Sequence, residues 1–173
     1  MKKTIIVLGS SRSKGETWQA VQDITDNSAL IPVIDLNSLS LSAYDYDHSN
    51  HNDDYFPLIE RLVEHELIIL ATPVYWYTMS AQMKIFIDRL SDLLEVRKDL
   101  GRKLRGKKVF IVASFNTSMP VGFEDAFSQT CNYMGMIYLG CSFIYQGSDH
   151  GLSETRPDQL ALARNVILKH TYN

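Results

Sequence analysis

Short runs of aliphatic residues punctuate the chain at Thr4 to Leu8, Ile31 to Leu36, Leu67 to Ala71, Val109 to Ala113 and Ile137 to Ile144. Within each run apolar residues follow one another with little alternation, the pattern of a strand covered on both faces. The stretches between them are long enough for crossover helices. The clearest covers Thr78 to Val96, where Met79, Met83, Phe86, Leu90 and Leu93 recur at steps of three and four. A first helix is expected from Thr17 to Ser28 with Trp18, Val21 and Ile24 turned inward. A last one is expected from Arg156 to His170 with Leu160, Ala163 and Ile167 inward and Pro157 in its first turn. Tyr55 to His65 and Gly122 to Met134 supply two more. This alternation predicts an α/β fold: five parallel strands with helices on both faces, in a single domain spanning residues 1–173, with no repeat, linker or low-complexity tract.

Composition narrows the function classes. A hydrophobic content of 45% and a charged content of 21% in 173 residues suit a globular domain able to bury a core. Seventeen cations against twenty anions, a formal net charge of -3, leave no positive field to hold nucleic acid or an anionic membrane. No apolar run is long enough to span a bilayer, and the one after Lys3 is too short for an export signal. Cys131 and Cys141 sit in apolar company and read as reduced core thiols, which points to the cytoplasm.

In open parallel sheets, ligands bind beyond the carboxyl ends of the strands, where the strand order reverses. The first such end carries Gly9-Ser10-Ser11-Arg12-Ser13-Lys14-Gly15-Glu16-Thr17, a loop of hydroxyls, glycines and cations leading into a helix N-terminus. Open N–H groups and the helix dipole favour an anion there, with Ser10, Arg12 and Thr17 as further donors. The alternative is a capping box in which Ser13 and Glu16 satisfy the helix and nothing binds. A nucleotide P-loop is excluded, because Glu16 stands where GxxxxGK[ST] needs lysine. The GxGxxG fingerprint is missing as well, although Asp35 resembles its ribose-binding acid. Neither a cysteine nucleophile in this loop nor an aspartate after strand three is present for phosphoryl transfer.

After strand three the chain reads Ala71-Thr72-Pro73-Val74-Tyr75-Trp76-Tyr77-Thr78-Met79-Ser80, three consecutive aromatics where a buried strand meets solvent. Such a run either packs as core or presents a platform to a flat ring. In a sheet ordered 2-1-3-4-5, strands one and three adjoin at the reversal point, the place where flavodoxin-like proteins hold FMN. One ligand then satisfies both turns, its phosphate on the first loop and its ring near Pro73 to Tyr77, with a third edge from Ser114, Phe115 and Asn116.

On the loop GSSRSKGET and the stretch TPVYWYTMSAQMKIFIDRL, the chain resembles the NADPH-dependent FMN reductase and NAD(P)H quinone reductase families over nearly its whole length. The resemblance implies a flavodoxin-like fold in which Ser10, Arg12, Gly15, Glu16 and Thr17 hold the FMN phosphate. Pro73, Val74, Tyr75 and Trp76, extended by Tyr77, line the ring, and Ser114, Phe115 and Asn116 match by place. It implies hydride transfer from NAD(P)H through the flavin to a quinone, azo, nitro or similar small acceptor in a ping-pong cycle. It also implies a homodimer whose second subunit closes the space above the ring. Lys84, Asp88 and Arg89 are read as structural, an Asp88–Arg89 pair anchoring the helix to other segments. Two rival readings stand: a flavodoxin-type electron carrier without nicotinamide turnover, which a net charge of -3 fits less well, and a flavodoxin-like binding domain without cofactor.

Other features compete. Tyr44 to Asp54 reads YDYDHSNHNDD, offering Asp45, Asp47, His48, His51, Asp53 and Asp54 as metal ligands. A solvated loop, a substrate-side flap or a dimer contact is expected instead. Arg97, Lys98, Arg102, Lys103, Arg105, Lys107 and Lys108 are expected to form a solvated connector, with selection of the NADPH 2′-phosphate as the alternative. Gly147, His150 and Gly151 are placed at the border of the pocket.

Overall fold

The computed structural model describes residues 2–50, 52–148, 153 and 156–171, so His51, His150 and Gly151 lie outside the described residues. Five strands, β1 (Lys2–Leu8), β2 (Val33–Asp35), β3 (His65–Pro73), β4 (Lys108–Phe115) and β5 (Ile137–Tyr145), pair in parallel in the order β2-β1-β3-β4-β5. The helices are α1 (Glu16–Thr25), α2 (Tyr55–Leu62), α3 (Ala81–Asp88), α4 (Asp92–Glu95), α5 (Lys98–Leu104), α6 (Phe123–Met134) and α7 (Arg156–Thr171).

The unbroken aliphatic runs have a direct cause. Alternate residues of each strand enter two separate apolar layers. Ile5, Val7, Ile68, Leu70, Val109 and Ile111 pack with α2 to α6, whereas Ile6, Leu8, Leu67, Ile69, Phe110 and Val112 pack with α1 and α7. Cys131 and Cys141 are buried and unbridged, and burial pushes the Cys131 thiol up to about 12. No helix among the described residues is long and apolar enough to cross a membrane.

The expected helix over Thr78 to Val96 is corrected in two places. Tyr75 to Thr78 forms a closed turn, and the helix starts only at Ala81, capped by the Ser80 hydroxyl, which accepts from Met83 N at 3.2 Å. It then tightens into a 3-10 turn over Arg89–Ser91 before α4. The apolar period runs straight through both features, so it does not reveal them. The basic run is likewise corrected: Lys98–Leu104 is a helix that buries Leu100 and Leu104 and turns its cations outward.

Arg89 lies at that tightened turn and is only 1% exposed. Its guanidinium bonds to Asp92, donates to Asp53 Oδ2 at 2.6 Å and Ser42 O at 3.1 Å, and stacks 4.6 Å from the centre of the Tyr55 ring. Of the neighbours Asp88 and Arg89, expected to anchor the helix to other segments, Arg89 does so through Asp53 and Ser42, whereas Asp88 bonds Lys84 one turn back on the same helix. Asp53 also accepts from Ser42 N and Tyr55 N, and Asp54 accepts from Ser40 N at 2.7 Å. The segment before α2 is a loop with Tyr46, Asp47 and Ser49 exposed, as expected, and it is in addition tied to the end of α3 and to α4 through Arg89, Asp92 and Glu95. The carboxylates of Asp45, Asp53 and Asp54 accept from protein donors, and no cluster of metal-ligating side chains occurs among the described residues.

Burial would raise the Asp53 pKa, but the bonds from Arg89, Ser42 and Tyr55 outweigh it and hold the carboxyl below 3.8. Removing the guanidinium would take the buried cation from two buried carboxylates, leaving Asp53 with backbone donors only and Asp92 with His48. Arg89→Met is expected to cost about 3–5 kcal/mol, read as a lower denaturant midpoint. His48 bonds Asp92 Oδ1 at 2.9 Å and Glu95 Oε2 at 3.0 Å, and these hydrogen bonds, that to Glu95 foremost, hold its pKa above 6.5. A raised histidine pKa contributes stability that is complete below the unfolded value and lost as pH rises through the folded one. His48→Gln should therefore be less stable than the parent at about pH 5.5 and equal to it at about pH 9, as read by thermal unfolding at each pH.

Candidate functional site

The carboxyl ends of β1, β3 and β4 lie side by side, and the turns leaving them form one edge of the molecule. Gly9 N donates to Ala71 O at 2.8 Å, continuing the pairing of β1 with β3 for one more residue. Ser10 is buried, Ser11 to Lys14 are exposed, and α1 begins at Glu16 with Gly15 as its N-cap. Gly15 is extended (φ -92°, ψ -163°), and no side chain caps the helix. The expected alternative of a Ser13–Glu16 capping box is thus not formed. The N–H groups of the first turn of α1 have no competing side-chain acceptor at this end, and the dipole favours an anion there.

Three contacts fix this loop that sequence reasoning did not single out. Asn37, just after β2, donates its side-chain amide to Ser10 O. The Gln146 amide donates to Glu16 O at 3.2 Å. The buried hydroxyls of Thr17 and Ser114 bond each other at 2.7 Å, joining α1 to the end of β4. Asp35 accepts from Asn37 N at 3.0 Å and so shapes the turn after β2.

The second turn departs from β3 at Pro73, which is paired with Ser114, and Val74 N donates to Ser114 O at 2.8 Å. Tyr75 and Thr78 exchange both backbone hydrogen bonds, at 2.9 and 3.1 Å. Between them Trp76 (φ 49°) and Tyr77 (φ 67°) are both left-handed, the backbone of a two-residue primed turn that ordinarily takes Asn-Gly. Trp76 is 92% exposed and Tyr77 63%, so the core-packing alternative for this aromatic run is not what the chain adopts. The Tyr75 hydroxyl bonds Ser11 Oγ at 2.8 Å, bridging the two turns directly.

A cleft of about 330 Å³ opens between Val74, Trp76 and Tyr77 on one side and residues 115–118 on the other. Phe115, buried against Tyr145 with ring centres 5.3 Å apart, supplies its floor. The structure brings all three predicted segments, Ser10 to Thr17, Pro73 to Tyr77 and Ser114 to Asn116, to one edge. It does not bring the basic run there. Helix α5 feeds the start of β4, so Arg105, Lys107 and Lys108 stand at the opposite end of the sheet from the cleft. Arg89 is likewise occupied elsewhere, as described above.

A family model described as NADPH-dependent FMN reductase matches residues 1–150. The chain is 27% identical over 154 residues, 80% of this chain and 82% of the relative, to YwqN of Bacillus subtilis (strain 168), which is named as a candidate NAD(P)H-dependent FMN-containing oxidoreductase. Among solved structures it is similar to the Trp repressor binding protein from Bacillus subtilis, with a TM-score of 0.73 and 24% identity, covering 95% of this chain and 97% of that one. It is also similar to an FMN-dependent NADH-azoreductase from Bacillus anthracis in complex with FMN, with a TM-score of 0.70 and 8% identity, covering 99% and 100%.

The left-handed pair at Trp76 and Tyr77 generates a prediction. Each non-glycine residue in this conformation costs roughly 1–2 kcal/mol. A Trp76→Asn, Tyr77→Gly double replacement is therefore expected to make the ligand-free protein about 1–2 kcal/mol more stable in urea unfolding, while stripping the aromatic surface from the cleft.

Proposed function

The chain belongs to the NADPH-dependent FMN reductase family, and from that premise we propose that it is an FMN-dependent oxidoreductase taking electrons from NAD(P)H and passing them to a small aromatic acceptor of the quinone or azo class. The observation that carries this reading is the convergence of an uncapped helix N-terminus and an exposed aromatic turn on one edge, bridged by the Ser11–Tyr75 bond. An anionic group and a flat ring on one molecule match that pair of features. The donor set fits FMN: backbone N–H groups and hydroxyls at one end, aromatic and backbone surface at the other, and a cleft in the size range of small-ligand sites.

Ser10, Arg12, Gly15, Glu16 and Thr17 form the phosphate loop, with Arg12 exposed beside it as a cation that closes over an anion. Gly15 lets the loop approach closely, since a Cβ there would sit 3.3 Å from Arg12 Cβ. Pro73, Val74, Tyr75, Trp76 and Tyr77 provide the ring side, and Ser114, Phe115 and Asn116 the third edge. FMN, when bound, supplies the two-electron chemistry, which needs no protein acid or base. The chain's own part is to orient the ring, exclude water from one of its faces and leave the other open to NAD(P)H and acceptor in turn.

Exposed Trp76, Met119 and Val121 around the cleft support a homodimer in which a second copy covers the open side. Two buried cysteines that form no disulfide suit a reducing compartment and support a cytoplasmic protein. Residues 1–173 act as one FMN-binding unit in this reading.

The test is spectroscopic and then kinetic. Protein equilibrated with FMN is expected to show a shifted flavin absorbance spectrum, to bleach on anaerobic addition of NADPH or NADH, and to oxidise the donor steadily when a quinone is supplied. Bleaching without turnover would overturn the quinone acceptor. Bound flavin that neither donor bleaches would favour an electron carrier, and failure to take up FMN would overturn the reading altogether.

A further inference from the structure

The two turns are joined beneath the surface by a hydroxyl that touches neither the cleft nor solvent. Ser80 is 0% exposed. Its Oγ donates to Gly9 O at 2.6 Å and accepts from Met83 N at 3.2 Å, so one oxygen caps α3 and holds the start of the first turn. Ser80 N in turn donates to Thr72 Oγ1 at 3.1 Å, and that buried hydroxyl donates to Pro73 O at 3.1 Å. The Ser80 proton goes to Gly9 O, while that of Thr72 has two acceptors within reach, Pro73 O at 3.1 Å and Ser80 Oγ at 3.4 Å. Both backbone carbonyls that launch the two turns are thereby fixed to the same two side chains.

Steric contact locks the joint. A Cβ on Gly9 would stand 3.0 Å from Met83 Cβ and 3.1 Å from Met83 Cα, so the first turn sits directly on the opening turn of α3. Gly9 is also held to β3 through Ala71 O. These restraints hold the first turn to both β3 and α3, and the Ser80–Gly9 bond is the buried side-chain link between the first turn and the segment that follows the second. In a dry interior an unpaired carbonyl costs more than the bond itself is worth net.

We propose that Ser80 is a positioning residue that sets the separation between the phosphate site and the ring site before a flavin arrives. The proposal rests on the reading that one FMN spans both turns. With the joint intact, the phosphate and the ring of one molecule reach their sites together, and their contributions to affinity reinforce each other. With the joint loosened, the ring still finds its platform but the phosphate no longer meets a fixed loop.

The test compares dissociation constants of FMN and of riboflavin, which lacks the phosphate, by fluorescence quenching in the parent, Ser80→Ala and Ser80→Cys. The parent is expected to bind FMN more tightly than riboflavin. In Ser80→Ala the riboflavin-to-FMN ratio of dissociation constants should fall by about tenfold, the equivalent of one buried hydrogen bond, while the riboflavin constant itself moves by less than about threefold. Ser80→Cys, a weaker donor, should fall between the two, and it carries the comparison if the alanine variant does not fold. Thermal unfolding of each variant is read alongside. A ratio unchanged in both variants despite lowered melting temperatures would make Ser80 a stabilising residue only and overturn the proposal. Equal affinity of the parent for FMN and riboflavin would instead remove the shared-ligand reading, and the proposal with it.

Discussion

A parallel sheet with both faces covered has one edge at which every strand must release its chain from a dry interior, and there the backbone polar groups lose their ladder partners. In this protein β1, β3 and β4 end together in that way. The chain meets the constraint with a set of short buried hydroxyls. Ser80 and Thr72 take up the carbonyls of Gly9 and Pro73, Thr17 and Ser114 pair with each other, and the side chain of Asn37 reaches Ser10 O. No described buried side-chain nitrogen or oxygen lacks a partner. The groups left over are those that no internal acceptor reaches: the first-turn N–H groups of α1 and the aromatic faces of the 75–78 turn. The candidate ligand site lies where this network of satisfied groups stops.

The aromatic turn shows the opposite balance. Two large side chains held left-handed cost about 2–4 kcal/mol together, and the two Tyr75–Thr78 backbone bonds recover only part of it. A folded chain tolerates such a conformation when its surroundings over-determine it and when something outside the fold benefits. Here the pairing of Pro73 with Ser114 fixes one side of the turn and buried Met79 and Ser80 fix the other. The result is an indole standing almost wholly in solvent beside a cleft. An exposed tryptophan gains little from folding, so the cost of this turn is not offset by burial of its own side chains.

Much of this is legible because aliphatic runs report burial on two faces directly: each strand lies within a few residues of its run, whereas the order of the sheet is legible only through the resemblance to flavodoxin-like proteins. The turns were legible as chemistry, since Gly9 to Thr17 and Pro73 to Tyr77 each carry unusual residue types at a strand end. What escaped notice depended on partners distant in the chain. The S-x-x-E spacing at Ser13 and Glu16 suggested a cap, but extended Gly15 starts the helix two residues later than a Ser13 cap would. Conversely Ser80, a true cap, lay hidden inside an apolar period that runs from Met79 to Leu93 without a break. Helix α5 was masked by its own charges, two leucines being too few to show a period. Asn37 and Gln146 carry no local signal at all, for their roles exist only once β2 and β5 flank the sheet.

The segment from Ser80 to Asp92 then acquires a meaning that neither of its ends has alone. At its start the Ser80 hydroxyl grips the first turn, and at its far end Arg89 grips the segment before α2 through Asp53 and Ser42. Between them Met83 and Phe86 are buried against the sheet, leaving no room for sliding. An element pinned at both ends and packed along its length is a strut, and one of its pinned ends is also the joint between the two turns. The charged network around Arg89, although remote from the cleft, therefore bears on the cleft's geometry by denying α3 a second position.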